Sequence, residues 1–228
     1  MALTDNLLAF YKLDNLTDSS GNGNTLTNNG DVTFSSGKIG NAAVFDNSSY
    51  LTQALDLSTP DAFTISCWIK KAVSSGAKII LSVSSQDGPL DVYAGPSHGN
   101  GLQASFTNAS AFCDLSLSEN EWKHFVFIRD KASNVSKIYM NGVNSYESTA
   151  PSFSNANGIS FGSSFGNMAS DGSIDAVGIW NRALSDSEVA ELYNSGTGLE
   201  EFGGAPQTQS FVKLLDTVKF FGKVKFMP

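Results

Sequence analysis

Long apolar runs are missing from this chain: nowhere do about eighteen apolar residues follow one another, which excludes a membrane-crossing helix read from sequence. Cysteine is nearly missing too. Two in 228 residues cannot make a disulfide framework, and Cys67 and Cys113 are expected as buried free thiols on strands. Positive charge is scarce, with 14 Lys and Arg against 22 Asp and Glu and a net charge of -8, which argues against a phosphate-binding surface for nucleic acid. Histidine occurs only twice, as His98 and His124, and no zinc spacing, Walker loop or dinucleotide fingerprint is present. Met1 is followed almost at once by the apolar segment LLAFYKL, so no secretory signal peptide is read at the start.

What is present is alternation. Phe63, Ile65, Cys67 and Ile69 interleave with Thr64, Ser66, Trp68 and Lys70, the period of a strand with one buried face. The segment from Trp122 to Arg129 repeats the pattern, and Asn141-Gly142 marks a hairpin turn between later runs. Many short strands joined by Gly, Asn and Ser predict an all-β fold of two packed antiparallel sheets. One helix is expected. Residues 172–198 run as an alternating strand into a segment where Ser185 and Glu188 stand three apart, the spacing of a capping box. Val189, Leu192 and Tyr193 make its apolar stripe, and Gly196 is the expected left-handed cap after about ten residues.

These pieces resemble laminin-G-like domains of the concanavalin A-like lectin/glucanase superfamily. The resemblance rests on LLAFYKLDN, TDSSGNGNTL, GKIGNAAVF, FTISCWIK, EWKHFVFIRD, KIYMNGV, ISFG and the closing SIDAV and NRALS, in family order over roughly residues 7 to 198. It implies a jelly-roll sandwich over residues 1–198, with 199–228 a linker plus an apolar, basic tail. Related domains often carry calcium, which makes Asp46 and Asp175 the candidate metal ligands; the other reading of Asp175 is a hydrogen-bonded structural aspartate. Asp18 is expected to form an Asx turn. The family also includes retaining glycanases, but no strand here carries their paired carboxylates, and a non-enzymatic module is expected. His124 sits in the family's W-x-H pattern and is read as a core histidine, and Trp68, Trp122 and Trp180 as structural aromatics.

Two further features bear on partners. The segment from 85 to 100 gathers Asp87, Asp91, Tyr93, His98 and Asn100, an aromatic beside acids and an amide, as a glycan site would want. Residues 205–228 hold four lysines against one aspartate, a net +3, whereas residues 1–204 carry ten basic against 21 acidic side chains, a net -11. Phe211, Leu215, Val218, Phe220, Val224 and Phe226 make the tail too apolar for a solvated appendage: it either folds back as an extra strand on its own sandwich or, the favoured reading, fastens the body to a neighbour by strand addition. With no leader peptide read, this points to a surface-displayed phage structural protein, in a capsid or tail, with glycan contact. The alternative is a calcium-assisted carbohydrate-binding module of a secreted protein.

Overall fold

The computed structural model describes residues 1–72, 78–83, 90–94, 101–106, 109–116, 118–150 and 156–202, the segments 101–106 and 109–116 through their backbone pairing. The assembly tail positions Phe211, Leu215, Val218, Phe220, Val224 and Phe226 lie outside the described residues, as do Asp87, His98 and Asn100.

Two antiparallel sheets face each other. In the first, strands β13 (Val143–Thr149), β12 (Val135–Met140), β11 (Trp122–Asp130), β6 (Ala62–Lys71), β15 (Asp171–Trp180), β4 (Asn41–Asp46) and β3 (Thr33–Ser36) lie in that order, with β1 (Leu7–Tyr11) pairing the far half of β15. The second runs β10 (Ala109–Ser116), β9 (Gly101–Phe106), β8 (Leu90–Ala94), β7 (Lys78–Val83), β14 (Ile159–Phe161), β5 (Tyr50–Gln53) and β2 (Thr27–Asn29). Neighbours in space come from distant parts of the chain, as in a jelly roll.

The alternation of β6 decides what goes inside. Phe63, Ile65, Cys67 and Ile69 all enter the inter-sheet core, where Cys67 opposes Phe125 and Ile65 opposes Phe127 across the β6–β11 register. Burial pushes the Cys67 thiol up and keeps it protonated. Strand β11 is buried on both faces, which explains its nearly unbroken apolar run: Phe125 and Phe127 face the core, while Val126 and Ile128 face a second cluster with Trp180, Leu184, Val189 and Leu192.

That second cluster lies under helix α1 (Asp186–Tyr193). The expected capping box is present in both directions, with Glu188 N–H donating to Ser185 Oγ at 3.3 Å and Ser185 N–H to Glu188 Oε2 at 2.8 Å. The helix is shorter than the sequence suggests. Its left-handed cap is Asn194 (φ 46°) rather than Gly196, because the Asn194 amide donates to Gly198 O at 2.9 Å and lets a non-glycine residue hold that conformation. Beyond the expected sandwich boundary at 198, Leu199 and Phe202 still pack on this cluster, with the Phe202 ring 4.0 Å from Phe10 and 5.2 Å from Trp180.

One irregularity positions a buried acid. Strand β15 pairs with β4 up to Ile174 and with β1 from Val177, and between Asp175 and Gly178 its register with β6 shifts in a bulge that puts Ala176 at φ 46°.

Candidate functional site

The outer face of the second sheet carries an open cleft of about 490 Å³, within the range of roughly 300–1,000 Å³ usual for small-ligand sites. Strand pairing explains why its residues meet. Leu51 opposes Phe161 in the core, so its neighbours Tyr50 and Thr52 point outward, and Asn29 stands directly across from Tyr50. Asn29 Nδ2 donates to Thr52 Oγ1 at 3.0 Å, which fixes both side chains on that wall. Gln53, Ala54, Asn157, Gly158 and Phe165 complete the lining. Gln53 uses its Oε1 to accept from Ala54 N–H at 3.0 Å, and among the described residues its Nε2, the Tyr50 hydroxyl and the Asn157 amide make no hydrogen bond. Two aromatic rings beside free amides and a hydroxyl form a surface that can stack on an apolar ring face and exchange hydrogen bonds at its rim.

Phe165 reaches the cleft from a tight turn. Ser164 and Asn167 exchange backbone hydrogen bonds at 2.9 and 3.0 Å, and the two residues between them, Phe165 and Gly166, both have positive φ (47° and 93°), as a type I′ turn requires. Glycine fits there; phenylalanine is strained there, and an aromatic residue held in the left-handed region is an outlier that points toward function. Its ring covers Gly158, where an added Cβ would lie 3.1 Å from the ring.

The same turn belongs to a strap, residues 162–169, laid across the sheet face. Ser164 Oγ lies 3.1 Å from Ser82 Oγ, Phe165 N–H donates to Ser160 Oγ, and Ile79 N–H donates to Met168 O at 3.0 Å. Asp91 and Tyr93 of β8 share the outer face with the cleft, and the Tyr93 hydroxyl donates to Asp91 Oδ2 at 3.2 Å. Pairing through Ser160 and Ser82 sets Asp91 three strands from Thr52, about 14 Å away at the usual strand spacing. Asp91 and Tyr93 therefore share the cleft's sheet face but lie outside its lining. Sequence reading missed the cleft because its walls come from four separated segments; the alternation of Tyr50 and Thr52 around Leu51 was the available signal.

The candidate metal ligands do not converge. Asp46 pairs with Asp171 at the opposite end of the β15–β4 ladder from Asp175, about 13 Å along the strand. Asp46 is exposed, and its Oδ1 accepts from Ser48 N–H, Ser48 Oγ and Ser49 N–H, bonds that hold its pKa down at about 2. Asn47 follows at φ 70°. Asp175 is fully buried, and its Oδ2 accepts from Lys38 and Ile39 N–H at 2.7 and 2.9 Å, pinning the turn between β3 and β4. Burial pushes the carboxyl up to about 6 despite those amides. Its Oδ1 has no hydrogen-bond partner, and no group of three His, Cys, Asp or Glu suited to a metal ion occurs among the described residues. Asp18 forms its Asx turn, accepting from Ser20, Phe10 and Asn24 N–H.

His124 is a buried residue, with Nε2 2.9 Å from Ser66 Oγ and its ring packed against both Trp68 and Tyr193, which also stack on each other. Trp68 lies under Lys38 Nζ at 4.5 Å, and Trp180 Nε1 donates to Leu3 O at 2.6 Å. Among the described residues no helix is long and apolar enough to cross a membrane.

Comparison with known proteins gives the same architecture. No curated protein sequence matches the chain. Among solved structures, domain 4 of AbnA, a GH43 extracellular arabinanase from Geobacillus stearothermophilus in complex with arabinotriose, superimposes with a TM-score of 0.66 at 25% identity, covering 81% of this chain and 97% of that one. The receptor-binding domain of botulinum neurotoxin type G does so with a TM-score of 0.66 at 23% identity over 83% of this chain, and that of the C/D mosaic serotype with 0.69 at 17% over 84%. In each toxin domain the chain spans about half the length, 51%. A family model described as concanavalin A-like lectin/glucanases superfamily, of the laminin-G-like kind, matches residues 41–190, so that sheet order, capping box and sequence agree in making this chain a member of that superfamily.

Proposed function

We propose that the chain is a non-enzymatic carbohydrate-binding module that works outside the cell, gripping a glycan in the cleft between Tyr50 and Phe165. The observation that carries this reading is the lining itself: two aromatic rings, one of them in a strained turn, beside unengaged amide and hydroxyl groups. The arabinotriose bound by the similar arabinanase domain supports it. Among the described residues the cleft lining offers no carboxylate, and capture without cleavage is the chemistry it suits.

Calorimetry of the full chain against a panel of oligosaccharides tests this. Tyr50→Ala is expected to weaken binding about tenfold or more, near 1.4 kcal/mol, with unchanged folding. A Tyr50→Ala protein that binds like the parent overturns the assignment. A calcium ion at Asp175 Oδ1, buried without a hydrogen-bond partner on the first sheet, would stand apart from the cleft on the second, and one carboxylate falls well short of the six to eight oxygens calcium takes. Repeating the titration with chelator tests it, and unchanged affinity removes calcium from the account.

A second reading, a virion module fastened through residues 205–228, rests on the reversal from net -11 to net +3 along the sequence. Sedimentation of the chain with and without those residues decides it; an unchanged assembly state removes it.

A further inference from the structure

Resting on the glycan reading above, we infer that the cleft selects uncharged oligosaccharides and rejects sugars bearing carboxylate or sulfate groups. Among the described residues its lining contains no Lys, Arg or His and no acid; the polar groups are Asn29, Thr52, Gln53, Asn157 and the Tyr50 phenol. An anionic sugar would enter without a counter-charge, losing water from its carboxylate and regaining at best neutral hydrogen bonds, a net cost. The wider field acts in the same direction, because residues 1–204 carry a net charge of -11 and repel an approaching anion. A neutral sugar meets neither penalty. Its apolar ring face matches Tyr50 and Phe165, and its hydroxyls can both donate and accept, which suits amides that offer an oxygen and a nitrogen together.

The cleft also sets how the ligand lies. Among the described residues strand β2 ends the second sheet, and Asn29 and Tyr50 stand at that margin, so the groove opens toward the sheet edge. An open margin admits the interior of a polymer, whereas recognition of a chain end needs a closed pocket. The ligand class is therefore a neutral oligosaccharide or polysaccharide bound along its length.

Calorimetry of the full chain with arabinotriose, xylotriose, cellotriose, trigalacturonic acid and a sulfated disaccharide tests this, at low and high salt. The expected result is binding of at least one neutral trisaccharide with less than about twofold change between the salt conditions, and acidic sugars at least about tenfold weaker. Acidic sugars binding as well as neutral ones overturn the selectivity while leaving the glycan reading intact. Failure of every sugar to bind overturns the glycan reading itself. Asn157 is exposed at the mouth, and Asn157→Lys is expected to admit trigalacturonic acid, a gain that misfolding cannot imitate. No gain in that variant counts against charge as the determinant.

Discussion

At His124 the ring is sealed beneath Trp68 and Tyr193, and burial pushes its pKa down to about 3. Only Nε2 has a partner; protonation would place a charge and a second N–H where Nδ1 has nothing to donate to. The unfolded chain takes up that proton near pH 6.5, the folded one only near 3, so stability is complete above the unfolded value and is lost as pH falls through this window, by up to roughly 1.4 kcal/mol per unit. Asp175 acts in the opposite sense. Its folded pKa of about 6 lies above the ordinary carboxylate value near 3.9, so its protonated form favours the folded state, and stability from this group falls as pH rises from about 4 to 6. Urea titrations between pH 3 and 8 should therefore show the two effects offsetting each other between pH 4 and 6 and the acid loss of His124 emerging below 4; Asp175→Asn should steepen the slope between pH 4 and 6, and His124→Asn should remove the loss below 4. A parent and a His124→Asn protein with parallel profiles would remove His124 as the source. That His124 is structural was legible from its place beside Trp122 in an alternating strand. The detailed role of Asp175 was not, because its amide donors sit in Lys38 and Ile39, some 136 residues away along the chain.

Among the elements, the strap over the second sheet sets stability against binding. Phe165 occupies a left-handed position that asparagine fills at little cost, and Asn-Gly is the favoured pair for a type I′ turn. Phe165→Asn should raise or preserve stability, by about 0.5–1 kcal/mol where the lost contact with Gly158 does not offset it, while weakening glycan binding about tenfold. Thermal melting and calorimetry on one preparation check both signs; a variant that loses stability and binding together would mean Phe165 is mainly a packing residue. Helices and central strands were readable in the sequence because each carries its own signal, a capping box at Ser185 and Glu188 or a period of two from Phe63 to Ile69. The cleft was not, since Asn29, Tyr50, Asn157 and Phe165 are brought together by pairing among β2, β5 and β14, and no local pattern records that pairing. The cap at Asn194 was missed for a related reason: the bond from its side chain to Gly198 stabilises a conformation that composition assigns to glycine.

For the molecule as a whole, Arg182 holds the first residues to helix α1. Its guanidinium donates to Asp5 O at 2.8 Å, to Ala2 O at 2.9 Å and to both oxygens of Glu188 at 2.7 and 3.1 Å. Burial works against ionising Glu188, yet Arg182 and the Ser185 amide and hydroxyl hold its pKa down at about 2. Arg182→Ala leaves that buried carboxylate with only the Ser185 amide and hydroxyl, and should cost roughly 3 kcal/mol in urea unfolding at neutral pH. A loss below about 1 kcal/mol would place the pair among interactions that hardly matter to folding. Because Trp180 also bonds Leu3, and β1 zips to β15 just beneath, both extremities of the body leave from one corner. Tension applied between residue 2 and residue 202 would thus be borne at that corner before reaching the sandwich, and a single-molecule stretching trace should show a small early rupture, removed by Arg182→Ala, ahead of the main event.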